Sequence, residues 1–213
     1  MKLYTFWRSS AAYRLRIALN YKGIQVEQIP KHLRKDEQRN ADYLRLNPQG
    51  LVPALDIGGE VLSQSLAIIE YLEETQPQPT LLPRDPVARA QIRSMAFSIA
   101  CDLHPLNNLR VLKYLKQPLG HDQPTIDTWY RYWADTCFVG LEQQAKRHSG
   151  DGRHCHGTAV TLADVCLVPQ MYNARRLNCD LSPYPTLTSI CAALEQLPAF
   201  AAAAPEQQPD AES

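Results

Sequence analysis

Phe6-Trp7-Arg8-Ser9-Ser10-Ala11-Ala12-Tyr13-Arg14-Leu15-Arg16-Ile17-Ala18-Leu19 carries a strand into a helix. Leu3, Tyr4 and Phe6 form a short apolar strand that runs into Trp7-Arg8-Ser9-Ser10. From Ala11 onward, Leu15, Ile17, Ala18 and Leu19 fall on the buried side of a helix. The two hydroxyls therefore sit at the strand-to-helix turn. The unpaired N–H groups and positive dipole end of a helix N-terminus favour anions. A hydroxyl placed there can donate to a thiolate and lower that thiol's pKa. It can equally do no more than cap the helix, and this stretch taken alone favours the cap.

Around it the pattern is regular. Residues Met1–Phe6 read as a strand, Ala11–Tyr21 as a helix stopped by Gly23, and Val26–Ile29 as a second strand. The polar stretch His32–Asn40 reads as loop and Ala41–Leu46 as a helical turn. Pro48, Gly50 and Pro53 punctuate the approach to a strand at Ala54–Ile57. Gly58-Gly59 turns a hairpin into Val61-Leu62, and Gln64-Ser65 precedes a helix, Leu66–Glu74. The order β-α-β-α-β-β-α predicts a thioredoxin-like α/β domain. A thioredoxin oxidoreductase needs a dithiol in its first turn, whereas this chain has Ser-Ser. That speaks against redox catalysis and for binding a thiol ligand. Val52-Pro53 by itself reads as an ordinary trans proline at a strand start. Ser65 by itself reads as a helix cap.

The second half lacks strand patterning. Pro77, Pro79, Pro83 and Pro86 mark a linker. Asp85-Pro86 opens a helix as N-cap and first residue. Ile92, Met95, Ala96, Ile99 and Leu103 follow at helical spacing, and another helix begins near Pro124-Thr125. Trp129, Tyr132, Trp133 and Thr136 follow at three-to-four spacing, and the three aromatics read as core or interdomain packing. Pro105 predicts a kink, with His104, Asn107, Asn108 and Arg110 forming a polar bend around it. Arg153-His154-Cys155-His156 has no partner pair at zinc spacing and reads as loop. Thr161-Leu162-Ala163-Asp164 is a capping box for a buried helix ending at Asn173-Ala174-Arg175-Arg176. From Pro205 the tail is polar, and mobility is expected.

Bulk properties narrow the function. The 213 residues carry a formal net charge of zero and no long basic run, which argues against nucleic acid as a partner. No stretch is apolar enough to span a membrane. The six cysteines, Cys101, Cys137, Cys155, Cys166, Cys179 and Cys191, are scattered and fit free thiols in a reducing compartment. A cytoplasmic protein is expected.

Arg8-Ser9-Ser10 followed by Tyr13-Arg14-Leu15-Arg16-Ile17-Ala18-Leu19 resembles the signature of zeta-class glutathione transferases. Val52-Pro53, Gln64-Ser65, His104-Pro105-Leu106-Asn107-Asn108-Leu109-Arg110-Val111-Leu112 and Leu181-Ser182-Pro183-Tyr184-Pro185 extend the resemblance from Leu3 to about Asp210. One position departs: the family commonly has Ser-Ser-Cys, and here the third residue is Ala11. A mechanism needing a protein thiol there is excluded, but glutathione brings its own sulfur.

The resemblance implies a glutathione transferase fold. A thioredoxin-like domain at 1–80 would be followed by a linker at 81–87 and an all-α domain at 88–213. It implies glutathione as coenzyme, with Ser9 stabilising its thiolate and Ser10 assisting. Val52-Pro53 would be cis, offering the Val52 backbone to the cysteinyl part. Ser65 and its helix would hold the γ-glutamyl carboxylate. Ala11, Arg14, Gln38, Gln49 and Gln64 join this glutathione set, with His104, Asn108, Leu109 and Arg110 from the kinked helix. Arg8, Arg110 and Arg176 would meet substrate carboxylates, since guanidinium pairs with carboxylate bidentately. Read from the residues alone, Arg14 and Arg16 are structural or solvent-facing. The implied reaction is cis–trans isomerisation of maleylacetoacetate to fumarylacetoacetate in tyrosine and phenylalanine catabolism, by a homodimer. Maleylpyruvate is the alternative substrate, and glutathione chemistry on α-haloacids a third reading. A non-catalytic module of the same fold would need the core and the capping box, but not Ser9, Val52, Gln64, Ser65 and Arg176 together.

Overall fold

In the computed structural model, which describes residues 1–212, the chain divides into two units: residues 1–80 with 196–212, and residues 81–195. The first opens with β1 (Lys2–Thr5), α1 (Ser10–Tyr21), β2 (Glu27–Pro30) and α2 (Ala41–Leu46). It continues with β3 (Ala54–Asp56), β4 (Val61–Ser63) and α3 (Ser65–Thr75). The sheet order is β2-β1-β3-β4, with β1 parallel to β2 and the other pairs antiparallel. Alternation along β1 sorts its residues. Leu3 pairs with Leu55 and is fully buried, as are Leu15, Ile17 and Ala18 of α1 and Ile68, Ile69 and Leu72 of α3. Tyr4 joins Phe6, Trp7, Tyr43, Val52 and Ala54 in a separate apolar cluster. The segment read as loop, His32–Asn40, contains two 3₁₀ turns, Leu33–Lys35 and Glu37–Arg39. They are single turns, too short to leave a helical period in the sequence.

Lys22, just past α1, anchors the end of the first eighty residues. Its Nζ lies 2.8 Å from the Gln76 carbonyl, 2.9 Å from the Pro79 carbonyl and 2.5 Å from Glu73. All three ammonium hydrogens therefore have acceptors.

The second unit is helical. It comprises α4 (Pro86–Phe97), α5 (His104–Leu106), α6 (Leu109–Lys116), α7 (Gln123–His148), α8 (Leu162–Arg176) and α9 (Pro185–Leu194). Asp85 caps α4, accepting from the Ala88 N–H at 2.7 Å. The expected kink is a wide π turn, Ser98–Leu103, in which the His104 N–H reaches the Ile99 carbonyl. Pro105 brings no N–H to the next turn, and the wider turn accommodates it. The linker residues Leu81 and Leu82 are buried, and the Leu81 carbonyl accepts from Leu162 at 3.0 Å. Residues 81–87 are thus anchored in the helical unit.

Of the two packing expectations for the α7 aromatics, the core one is corrected. Its buried stripe is Ile126, Tyr130, Ala134, Phe138, Leu141 and Ala145. Trp129 and Trp133 are half-buried, and Tyr132 and Thr136 are exposed. The two stripes interleave along one helix, and the polar neighbours in the sequence do not distinguish them.

The capping box is present. Asp164 is fully buried and accepts from the Thr161 N–H at 2.7 Å, the Thr161 hydroxyl at 2.8 Å and the Cys155 N–H at 2.7 Å. Burial pushes its pKa upward against those donors. Asp164→Ala is expected to destabilise the protein by about 2 kcal/mol, because two buried N–H groups lose their acceptor. Chemical denaturation reads this as a lower midpoint at unchanged slope.

The C-terminal stretch overturns two expectations, that 88–213 form one domain and that the tail from Pro205 is mobile. Residues 196–212 belong with the first unit. They form α10 (Pro198–Ala201) and a 3₁₀ turn, Pro205–Gln207. Phe200 and Ala203 are fully buried, and Arg16 donates from Nε to the Ala203 carbonyl at 3.1 Å. Gln208 is buried too, its Nε2 bonding the carbonyls of Ala202 at 3.0 Å and Ala204 at 2.8 Å. The composition is polar, but the polar groups are spent on holding the segment in place. Among the described residues no helix is long and apolar enough to cross a membrane.

Candidate functional site

Three sequence signals of the first unit meet at one end of its sheet. β1 leaves the sheet at Thr5 and reaches Ser9 four residues on. β3, antiparallel to β1, enters at Ala54 just after Val52-Pro53. β4 pairs Ser63 with Ala54 and runs directly into Gln64-Ser65. The register therefore gathers Ser9, Val52 and Ser65, and it aligns the N-termini of α1 and α3 at the same edge.

Ser9 is the N-cap of α1, its Oγ accepting from the Ala12 N–H at 3.3 Å. The cap uses the hydroxyl as an acceptor and leaves its proton available for donation. Capping and thiolate stabilisation are therefore compatible uses of one group. Ser10 is buried and Ala11 half-buried behind it. All six cysteines lie between 101 and 191, so the first eighty residues contain no thiol. The described cysteines are free, and burial raises the pKa of Cys137 to about 12 and pushes up those of Cys155, Cys179 and Cys191.

The Val52–Pro53 peptide bond is cis. The approach to it is fixed by two side chains on one carbonyl: Leu51 O accepts from the Tyr43 hydroxyl at 2.6 Å and from Asn47 Nδ2 at 2.9 Å. Gly50 makes this path possible. Its φ is +60°, and a Cβ there would lie 3.2 Å from the Gln38 carbonyl. The exposed Gln64 and Gln49 side chains pair, Nε2 to Oε1, at 2.7 Å. Gln64 itself has φ +68° and ψ 113°, a strained conformation for a non-glycine residue.

Beneath Ser65 lies Arg14, only 2 % exposed. Its Nη1 donates to Ser65 Oγ at 2.9 Å, while Nε and Nη2 are buried with no hydrogen-bond partner among the described residues. A buried cation with a single neutral partner is costly unless an anion compensates it. Here it stands behind a helix N-terminus, where an anion binds. Gln38 adds a buried Oε1 that likewise lacks a donor among the described residues. Both features fit a ligand with a carboxylate and amide N–H groups. The direct residue reading of Arg14 as structural or solvent-facing is corrected in its second part. A charge at an apolar helix position, i+5 from a capping serine, was the available signal. Arg16 is also buried, 3 % exposed, and serves the turn that precedes Ser9.

The helical unit presents its own polar set. Asn108 caps α6 by accepting from the Arg110 N–H at 3.1 Å, and its Nδ2 lies 3.4 Å from His104 Nε2. Leu109 and Arg110 are exposed on the first turn of α6. Arg175 and Arg176 close α8 and differ in their partners: Arg175 pairs with Glu195 at 2.5 Å, whereas Arg176 lies 3.5 Å from Asn173 Oδ1. Arg8, in the first unit, lies over the Trp7 ring, 4.9 Å from its centroid. Among the described residues no three His, Cys, Asp or Glu side chains gather as a metal-binding group.

Residues 1–74 match the family described as glutathione S-transferase, N-terminal domain. A Vibrio cholerae protein named as a probable maleylacetoacetate isomerase is 52 % identical over 211 residues, covering 98 % of this chain and 97 % of that protein. A maleylpyruvate isomerase structure, described as a bacterial zeta-class glutathione transferase, superposes with a TM-score of 0.97 at 47 % identity over the full length of both chains. A maleylacetoacetate isomerase structure from Methylobacterium extorquens, with glutathione and malonate bound, gives 0.95 at 42 % identity, again over both full chains.

Proposed function

The chain belongs to the zeta class of the glutathione transferase family, and from that premise we propose that it is a glutathione-dependent cis–trans isomerase. Its substrate in this reading is maleylacetoacetate and its product fumarylacetoacetate, in tyrosine and phenylalanine catabolism. The observation that carries the reading is the convergence of Ser9, cis Val52–Pro53 and Ser65 on one sheet edge, with the buried Arg14 guanidinium behind Ser65. Glutathione, when bound, supplies the thiolate that adds to the cis double bond and leaves once the bond has rotated.

Each residue then has a defined task. The Ser9 hydroxyl donates to the sulfur, and the α1 N-terminus adds favourable potential. Ser10 and Ala11 complete the start of that helix. The Val52 backbone pairs with the cysteinyl part as an added strand. Ser65 and the α3 N-terminus take the γ-glutamyl carboxylate, with Arg14 supplying positive charge from below. Gln38, Gln49 and Gln64 satisfy the peptide groups of the ligand. His104, Asn108 and Leu109 contribute from the helical unit. Arg8, Arg110 and Arg176 are the cations for the substrate's carboxylates; malonate in the Methylobacterium extorquens relative supports a dicarboxylate.

Gln64→Gly is expected to raise the thermal midpoint, because glycine adopts φ +68° without strain. The same change weakens glutathione binding by removing the amide and its pairing with Gln49. Calorimetric titration beside a thermal melt checks both signs.

Maleylpyruvate is the second substrate reading, supported by the relative of that name at a TM-score of 0.97. The ratio of kcat/KM for the two substrates tests the choice: a higher value for maleylpyruvate reverses it, and halide release from an α-haloacid with neither isomerised removes both. The enzyme is read as a cytoplasmic homodimer. Exposed Val87 and Phe97 on α4, with Tyr132 and Val139 on α7, support a covered face. Sedimentation is expected to return twice the 24.1 kDa chain mass, and the single-chain mass would refute the dimer.

A further inference from the structure

The turn that presents Ser9 is held from outside the sheet. It closes with the Ser9 N–H donating to the Phe6 carbonyl at 3.0 Å, which puts Trp7 and Arg8 at its corner. The last pairing of β1 with β2 is Thr5 with Pro30, so the corner has no ladder partner. Trp7 is only 7 % exposed, and its peptide groups must find other partners. They do so on two side chains. The Trp7 N–H donates to Asp210 Oδ2 at 2.9 Å, and the Trp7 carbonyl accepts from Arg16 Nη2 at 2.8 Å. The same guanidinium gives Nη1 to the Phe6 carbonyl at 3.4 Å and to Thr5 Oγ1 at 3.3 Å.

We infer that Asp210 is a positioning residue for Ser9: with Arg16 it fixes both sides of the Trp7 peptide, two residues before the hydroxyl, and so sets where that hydroxyl points. Asp210 is itself placed by independent anchors on either side. Gln208 bonds Gln28, Oε1 accepting from Nε2 at 3.2 Å, and Ala211 packs on the cluster of Tyr4, Phe6 and Trp7. Beyond it, Glu212 meets His32 Nε2 at 2.6 Å. The Asp210 charge also faces Arg16, whose pKa is lowered to about 10 because burial outweighs the upward pull of Asp210. Without this carboxylate the corner N–H is left buried and unpaired, and the turn relaxes to find water or another acceptor. Ser9 moves with it. A small misplacement of a catalytic donor is enough to cost rate.

The inference rests on the reading that Ser9 meets the thiol of glutathione, and the test separates the two. The pKa of bound glutathione is followed through its thiolate absorbance, and Trp7 amide exchange is followed without ligand. Asp210→Ala is expected to raise the bound thiol's pKa by about one pH unit, to lower kcat about tenfold, and to speed Trp7 exchange. Glutathione affinity stays near the parent value. Asp210→Asn keeps an acceptor oxygen and is expected to restore all three. Asp210→Ser, too short to reach the amide, gives the same comparison if the alanine variant does not fold. A lower melting temperature with unchanged thiol pKa, kcat and Trp7 exchange would overturn the inference and leave Asp210 a fold residue. A parent protein that does not depress the thiol pKa would instead sink the Ser9 reading, while Trp7 exchange still decides whether Asp210 holds the turn.

Discussion

Ser9→Ala is expected to lower kcat by about 10²–10³-fold while leaving glutathione affinity close to that of the parent. The reason is geometric. Ser9 accepts from the Ala12 N–H, so its own proton is the group left to stabilise sulfur. Removing it takes away a donor that matters most when the sulfur bears charge, whereas the proposed γ-glutamyl and cysteinyl contacts do not involve this hydroxyl. The cap is lost as well, at about 1 kcal/mol of stability, so a melt must accompany the kinetics. Ser9→Thr keeps both functions and is expected to recover most of the rate. If turnover and affinity fall together, Ser9 is a binding or capping residue.

Arg14→Met is expected to act in opposite directions on stability and on binding. Arg14 is a buried guanidinium with one neutral hydrogen bond among the described residues, so it burdens the ligand-free fold. Methionine fills similar space without charge, and stability is expected to hold or to rise by about 1–2 kcal/mol. Glutathione affinity is expected to fall about 10–100-fold, the worth of one hydrogen bond to a charged group. The loss should vanish for an analogue lacking the γ-glutamyl carboxylate, which the parent binds no better than the variant. A variant that is destabilised and binds normally would make Arg14 a packing residue.

These two residues also mark how far the sequence reads. Strand-to-helix order in the first eighty residues is legible because hydrophobic period and Gly/Pro punctuation are strong there. The elements at Ala41–Leu46 and Ala54–Asp56 lie within a residue of their expected bounds. Ser9, Val52 and Ser65 are legible only as a set, since each alone is a cap or a proline. Antiparallel register between β1, β3 and β4 is what unites them, and register is a tertiary property. Arg14 is half legible: its helix is clear, but its burial depends on Ser65, 51 residues away. The tail is the plainest misreading. Polar composition predicts solvation, yet Gln208 and Asp210 bond groups near the other end of the chain, and composition is blind to such long-range partners. The π turn before Pro105 is foreseen as a kink but not in kind, because proline announces a disruption without specifying how the backbone absorbs it.

The most direct test is to incubate the purified protein with maleylacetoacetate, with and without glutathione, while following loss of the cis isomer and the glutathione balance. The account predicts conversion to fumarylacetoacetate only when glutathione is present, with the glutathione recovered unchanged over many turnovers. Glutathione consumed in proportion to product, or no conversion by a protein that binds glutathione, would contradict it.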